Sequence, residues 1–374
     1  MRRMAKYIHE HIDWARFRWN SDVIMTPLSR IRNTQGRLMG KMTSLGWVLR
    51  EDAQLDTTVA DILKTSEIEG ESLNLQQVRS SVARRMGLNI EGLIPSDQLV
   101  DGIVQMSLDA SQNFKAPLTQ ERLFGWHAAL FPTGRSGMHK IMVGGWRQDL
   151  AGPMQVVSGR MGKEIIHYQA PPAEQLDREM DAFLAWFESE DNIDPVLKAA
   201  IAHLWFVSIH PFDDGNGRIA RAITDMQLAR AEENNRRLYS MSAQISIERN
   251  GYYEILEKTQ KGSPDITEWI LWFLQCLENA ISTAETMIEK VMIKSKFWNQ
   301  HVATPLNARQ RMMINTLFDS FFGNLSSSKW ATMTKCSPDT ALRDIQDLID
   351  KNILSAQQGG GRNAHYELLL PMSE

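Results

Sequence analysis

The sequence predicts a mainly α-helical chain of several domains with one small β excursion, and three observations predict it. Long stretches carry apolar residues at helical spacing with few prolines between them. One window, residues 142–168, is glycine-rich and β-branched instead. The 374 residues are 43% hydrophobic and 23% charged, an ordinary globular profile. At ~150 residues per domain, that length gives two or three domains.

Composition excludes several classes. Lys+Arg 41 against Asp+Glu 45 leaves a net charge of −4, so no basic excess announces a nucleic-acid or membrane partner. Two cysteines, Cys276 and Cys336, cannot build a disulfide framework or a thiolate metal site, and a reducing, cytoplasmic location is expected. The longest suggestive uncharged run, Ala199 to Phe212, is 14 residues, short of the ~20 a spanning helix needs. Glu10 and Asp13 interrupt the apolar segment that a secretory signal would require after its basic start.

The elements follow in order. Arg30 to Glu51 lacks proline and spaces Leu38, Met42, Leu45 and Leu49 as a helix would. Val59, Ile62 and Leu63 mark a short amphipathic helix that Gly70 ends. Asn74 caps a helix from Leu75 toward Arg85, and Asn89 to Asp97 is a connection broken by Gly92 and Pro95. Met154 to Val157 and Glu164 to Tyr168 form a hairpin, ended by Pro171-Pro172. Helices resume over Pro172 to Glu188 and Asp194 to Ile209. Near the end, Asn307 to Phe321, Ser327 to Thr334 and Ser337 to Lys351 read as helices. Ile353-Leu354, a turn at 359–362 and Ala364 to Leu370 then give a short hairpin, an order that suggests a winged helix-turn-helix. The expected division is an N-terminal helical region over 1–95, a catalytic core with flanking helices over 96–300, and the winged-helix-like domain over 305–374.

The strongest local signal is HPFDDGNGRIAR, from His210 to Arg221. Pro211 stops the apolar helix before it, and Gly215 and Gly217 let the loop backbone approach a ligand closely. The first turn of the next helix offers free N–H groups and the positive end of the macrodipole to an anion. Arg218 and Arg221, at i and i+3, reach along one face toward it. Asp214 is placed to hold a divalent cation between phosphates, and His210 can take a proton near neutral pH. Taken singly, a histidine at a helix end is usually structural, an Asp-Gly-Asn-Gly loop is usually a turn, and an arginine pair is usually a solvated face. Together at this spacing they indicate phosphate-transfer chemistry.

The segment resembles the signature HPFx[D/E]GNGRxxR of the Fic family at every fixed position. The resemblance covers roughly Pro117 to Leu274, including Leu123 to His127, the hairpin and the Tyr252-Tyr253 region. It implies a Fic-type helical core and transfer of AMP from ATP to a hydroxyl of a target protein. His210 would be the general base, Phe212 a core anchor for the loop, and Asp214 the ligand of Mg²⁺. Gly215, Asn216 and Gly217 would form the anion nest, with Arg218 neutralising the leaving pyrophosphate and Arg221 gripping the γ-phosphate. The hairpin would be a flap that docks a target segment as an added strand through Met154, Val156, Ile165 and His167. Gly217, where related kinases carry lysine, favours nucleotidyl transfer. Upstream, Thr65 to Gly70 (TSEIEG) is similar to the family's inhibitory motif [S/T]xxxE[G/N]. Its Glu69 carboxylate would pair with Arg221 and take the place of the γ-phosphate, although a helix ending in acids before glycine is common in itself.

Other features point to packing. His9 and His11 diverge on a helix and make a poor metal pair, and Trp14, Phe17 and Trp19 suit a core or interface. Residues 307–374 hold seven basic and seven acidic groups. The presumed recognition helix has Asp339, Asp344, Asp347 and Asp350 against Arg343 and Lys351, so a protein–protein or homodimer role is favoured over DNA binding. The expected function is an ATP- and Mg²⁺-dependent protein adenylyltransferase acting on Ser, Thr or Tyr hydroxyls of a target protein or of the chain itself, and autoinhibited by Glu69. The alternatives are a de-AMPylase or other nucleotide or phosphate transferase on the same core, or a ligand-sensing transcriptional regulator.

Overall fold

A computed structural model describes residues 5–44, 47–88, 90, 92–150, 152–160, 162–319, 321, 323–357 and 365–371. Its residues group into two compact units, 1–284 and 285–374. The first begins with α1 (Ser21–Ser44), α2 (Trp47–Ile68) and α3 (Leu75–Arg85). Here the boundaries differ from the expected 30–51 helix. Ile24, Ile31, Leu38 and Met42 form one buried stripe along α1, so tertiary packing carries the helix through Pro27. Residues 47–51 belong instead to α2, whose Leu55, Val59, Ile62 and Ile68 are buried. The helix that Gly70 ends is therefore long, at 22 residues, rather than short. Asn74 caps α3 as expected, its side chain accepting from the backbone N–H groups of Gln76 and Gln77.

Next come α4 (Gln98–Gln112) and α5 (Gln120–Leu130), then two minimal strands, β1 (Arg135–Ser136) and β2 (His139–Lys140). The flap hairpin is β3 (Gln155–Ser158) paired antiparallel with β4 (Ile165–Gln169), with a bulge at Val156/Val157. Met161, in its expected turn, lies outside the described residues. A 3-10 turn at Ala173–Gln175 leads into α6 (Leu176–Phe187), followed by α7 (Pro195–Ile209) and α8 (Asn216–Glu232). Every residue of α7 from Val196 to Ile209 is buried, as befits a helix that is apolar on all sides. It forms the centre of the unit and packs along α8. The short α9 (Met241–Ile247) lies against α2, and α10 (Arg249–Gln260) leads to α11 (Thr267–Gln300). The N-terminal aromatics are packing residues: Trp14 and Phe17 meet Trp205 edge-on.

The second unit holds α12 (Ala308–Asp319), α13 (Ser327–Thr334) and α14 (Pro338–Asp350), then β5 (Leu354–Gln357) paired antiparallel with β6 (His365–Leu368). Its core gathers Trp330, Ile314, Ile345 and Leu348. Asp344, counted above among the outward charges of a recognition helix, is 6% exposed and bound by Arg309 and Asn307. The expected turn at 359–362 lies outside the described residues. Among the described residues, no helix is long and apolar enough to cross a membrane.

One contact in the first unit admits no side chain. A Cβ on Gly102 of α4 would fall 1.7 Å from the carbonyl oxygen of Ala129 in α5. Gly102→Ala must push the two helices apart, and we expect it to destabilise the fold by about 1–3 kcal/mol or more. Thermal denaturation of the variant checks this; an unchanged midpoint would show that the helices separate freely.

Candidate functional site

The end of α7 and the start of α8 are joined by a loop whose geometry begins at His210. Its backbone is left-handed (φ 54, ψ 56), a conformation that costs a non-glycine residue about 1–2 kcal/mol. Four hydrogen bonds hold it there. Arg147, 2% exposed, donates from Nε to the His210 carbonyl at 2.8 Å, and its backbone N–H donates to the Pro211 carbonyl. Asn216 then staples the loop across itself: Nδ2 donates to the Phe212 carbonyl at 2.8 Å while Oδ1 accepts from the Phe212 N–H at 3.0 Å. The Asn216 side chain is thus fully engaged within the loop, leaving only its backbone to the expected nest. Phe212 is completely buried and stacks on His127 at 4.2 Å.

Hydrogen-bond direction fixes the histidine tautomers. His127 Nδ1 accepts from the Gly144 N–H, so Nε2–H donates to the Asp214 carbonyl at 3.2 Å. His210 Nδ1 meets only the Val207 carbonyl, at 3.3 Å, and must carry the proton; Nε2 is left as an acceptor. Burial lowers the pKa of His210 to about 4, so at neutral pH it is an uncharged imidazole able to take a proton. Asp214 accepts from the Ser136 hydroxyl through Oδ2 and from the Gly215 N–H through Oδ1. Asp213 is turned the other way, accepting from the Met142 N–H at 2.8 Å.

The helix that follows opens at Asn216, with Gly215 at φ +81 as its N-cap. Arg218 and Arg221 are 1% and 2% exposed. Arg221 is gripped by the end of α2: Nε donates to Thr65 Oγ1 at 2.7 Å, and NH2 donates to the Thr65 carbonyl at 3.0 Å and to Glu69 Oε1 at 2.7 Å. Glu69 enters the first turn of α8 itself. A Cβ on Gly217 would fall 2.1 Å from Glu69 Oε1, so the glycine is needed for space rather than for its φ. Arg218 is paired as well, its NH1 donating to Glu71 Oε2 at 2.5 Å. Among the described residues, each guanidinium keeps one buried donor without a partner, Nε on Arg218 and NH1 on Arg221.

The flap residues divide differently from the expectation. Met154 and Val156 share a face and pack inward against Tyr7, Tyr168 and Ala170. His167 is bonded to Glu257 at 2.7 Å and to Ser158 at 2.6 Å. The apolar side chains that remain exposed are Ile165, as expected, with Val157 and Ile166. Sequence reasoning missed Arg147, His127, Ser136 and Glu71. The first three act across 60 residues or more and leave no local signal. Glu71 does: it is an acid beside the glycine that closes the TSEIEG segment.

Three histidines are held neutral by burial, His127 and His210 near pKa 4 and His203 near 3. In the unfolded chain they titrate near 6.5. Between about pH 4 and 6.5 the unfolded state therefore binds protons that the folded state does not, and stability falls as pH drops through that window. Each histidine contributes up to about 1.4 kcal/mol per pH unit. Asp225, raised to about 7 by burial, acts in the opposite direction and offsets about one of them. The urea midpoint should be lower at pH 5 than at pH 7; equal midpoints would contradict neutral histidines.

The geometry can be set beside known proteins. Residues 117–228 match the Fic/DOC family, and residues 7–88 match a domain of unknown function (DUF4172). The chain is 26% identical over 223 residues to "Protein adenylyltransferase Fic" of Nematostella vectensis, covering 59% of this chain and 47% of that protein. It is 25% identical over 284 residues to the protein of the same name from Aedes aegypti, covering 75% of this chain and 50% of that one. The chain thus spans about half the length of these curated relatives. Among solved structures, a Fic family protein from Desulfovibrio desulfuricans G20 superposes with a TM-score of 0.51 at 20% identity, covering 92% of this chain and 96% of that one. A Fic-1 fragment from C. elegans gives 0.51 at 20% identity, covering 72% and 74%. These structural likenesses establish the fold, and with the family match they make residues 117–228 of this chain a Fic/DOC domain.

Proposed function

We propose that this chain is a protein adenylyltransferase, moving AMP from ATP onto a Ser, Thr or Tyr hydroxyl of a target protein, and that Glu69 restrains it. The observation that carries the reading is the carboxylate of Glu69 seated against Gly217 and Arg221, in the place where a helix N-terminus and two buried arginines would take a phosphate. The curated relatives that carry the name adenylyltransferase support the same reaction.

The chemistry follows from the groups present. The target hydroxyl oxygen attacks the α-phosphorus, the bond from that phosphorus to the bridging oxygen breaks, and pyrophosphate leaves. His210 Nε2, uncharged and free to accept, takes the hydroxyl proton. Arg218 balances charge developing on pyrophosphate, and Arg221 fixes the γ-phosphate. Mg²⁺ would supply further charge neutralisation. Its expected ligand Asp214 suits that ion, which is commonly held by one or two carboxylates together with substrate phosphates. Ser136 and the Gly215 N–H orient that carboxylate. The exposed edge around Val157, Ile165 and Ile166 suits an extended target segment laid beside the hairpin.

Label should pass to protein from α-³²P-ATP and not from γ-³²P-ATP; transfer from the γ position would make the chain a kinase instead. His210→Ala should keep ATP binding and lose ~10²–10⁴ in transfer rate, the usual cost of removing a general base. Full activity in the folded variant would sink the mechanism. If Glu69 favours the closed site by ~3 kcal/mol, about 1% of molecules are competent, and Glu69→Gly should raise labelling 10- to 100-fold. Glu67→Gly should change little, because Glu67 lies on the surface, bonded to Lys64. Equal rates for wild type and Glu69→Gly at saturating ATP would refute restraint by this residue.

A further inference from the structure

The second acid at the site, Glu71, has no place in the reading above. Gly70 has a left-handed backbone (φ +84), although a Cβ there would meet nothing within 4 Å. The glycine therefore serves conformation rather than space. Around it the helix end closes on itself: the N–H groups of Glu69 and Glu71 both donate to the Ser66 carbonyl, and that of Gly70 donates to Glu67. Were the helix to continue, residues 69 and 71 would project on opposite sides. The left-handed turn makes them converge instead. Arg218 and Arg221, at i and i+3 on α8, then meet one acid each.

We propose that Glu71 is a second latch on the phosphate site, closing Arg218 as Glu69 closes Arg221, so that an incoming polyphosphate must displace two carboxylates and not one. The proposal rests on the reading of this site as a nucleotide site. The geometry supports separate action. Arg218 is 1% exposed while the Glu71 side chain is 37% exposed, so the cation is fixed and the acid stands at the rim, able to swing into water. The Arg218 guanidinium also lies over the Phe131 ring at 5.2 Å, which keeps it in place when Glu71 leaves. Its Nε is buried without a partner among the described residues, a donor that Glu71 does not satisfy. The two pairs share no carboxylate, so removing Glu69 leaves Arg218 still neutralised. A variant lacking Glu69 alone is only half released.

The test compares wild type, Glu71→Gln, Glu69→Gly and the double variant, with inorganic tripolyphosphate as the anion probe in titration calorimetry. Transfer from α-³²P-ATP is measured in parallel. Circular dichroism and melting confirm that each variant is folded. Glu71→Gln on the Glu69→Gly background should tighten tripolyphosphate binding by 5-fold or more and raise ATP labelling further. In the presence of Glu69 it should do much less, because Arg221 is still closed. Unchanged or weaker tripolyphosphate binding in the double variant would overturn the proposal, since a latch cannot be removed without freeing its arginine. If anion binding tightens but no variant transfers AMP, the latch stands and the adenylyltransferase reading fails.

Discussion

A buried guanidinium cannot be left without an anion, and Arg221 is such a group. It is 2% exposed and lies on α8, whose residues from Arg218 to Ala229 are buried. Removing the partner of a buried charge typically costs 3–5 kcal/mol. The chain therefore needs an acid at this position when no substrate is present. Glu69 supplies it, raising the Arg221 pKa further against the opposing effect of burial. A phosphate would satisfy the same cation. Under the proposed function the two anions would compete because the same physical requirement selects both, with no separate sensing element.

The uncharged histidines answer a related constraint. Arg147, Arg218 and Arg221 crowd the α7–α8 junction with positive charge, and a protonated His203 would add to it; Arg221 lowers the His203 pKa after burial does. The solution is a hydrogen-bond chain in which each donor has a defined acceptor. Thr224 donates to the Ala220 carbonyl and accepts from His203 Nδ1, leaving His203 Nε2 to accept from the Tyr252 hydroxyl. Fully satisfied buried networks of this kind are rigid. Rigidity matters here, because His210 sits in a strained left-handed conformation that persists only while Arg147 and Asn216 hold the loop on either side.

Legibility in the sequence tracked the range of the interaction. The His210–Arg221 segment was readable because loop glycines, a helix N-terminus and an i, i+3 arginine pair are all local. Helix α3 was readable to its cap for the same reason. Helix α1 was misjudged at its start because Pro27 is a local breaker, whereas the stripe Ile24, Ile31, Leu38 is stabilised by burial against residues elsewhere in the chain. The inward packing of Met154 and Val156 depends on Tyr7, distant in the sequence, which nothing in the hairpin's own residues specifies. Arg147 is the extreme case: an ordinary arginine in a loop, given its structural role by a carbonyl 63 residues further on.

The attachment of α2 decides what kind of motion would open the site. The helix is pinned by groups other than Glu69 and Glu71. Arg249 Nε and the Tyr253 hydroxyl both donate to the Ile68 carbonyl, and the Ser240 hydroxyl donates to Asp61 at 2.5 Å one turn and more upstream. Arg221 itself holds Thr65 through two bonds that do not involve Glu69. Dislodging the whole helix would break all of these and expose Leu55, Val59 and Ile62 as well, a cost of several kcal/mol from apolar burial alone at about 1.5–3 kcal/mol per large side chain. Turning Glu69 away breaks one ion pair, and its side chain is already 30% exposed. The less costly route keeps α2 docked, with Thr65 still orienting Arg221 as the carboxylate departs. Under the proposed function, opening is then a side-chain event, and the residues that close the proposed phosphate site also hold its geometry ready.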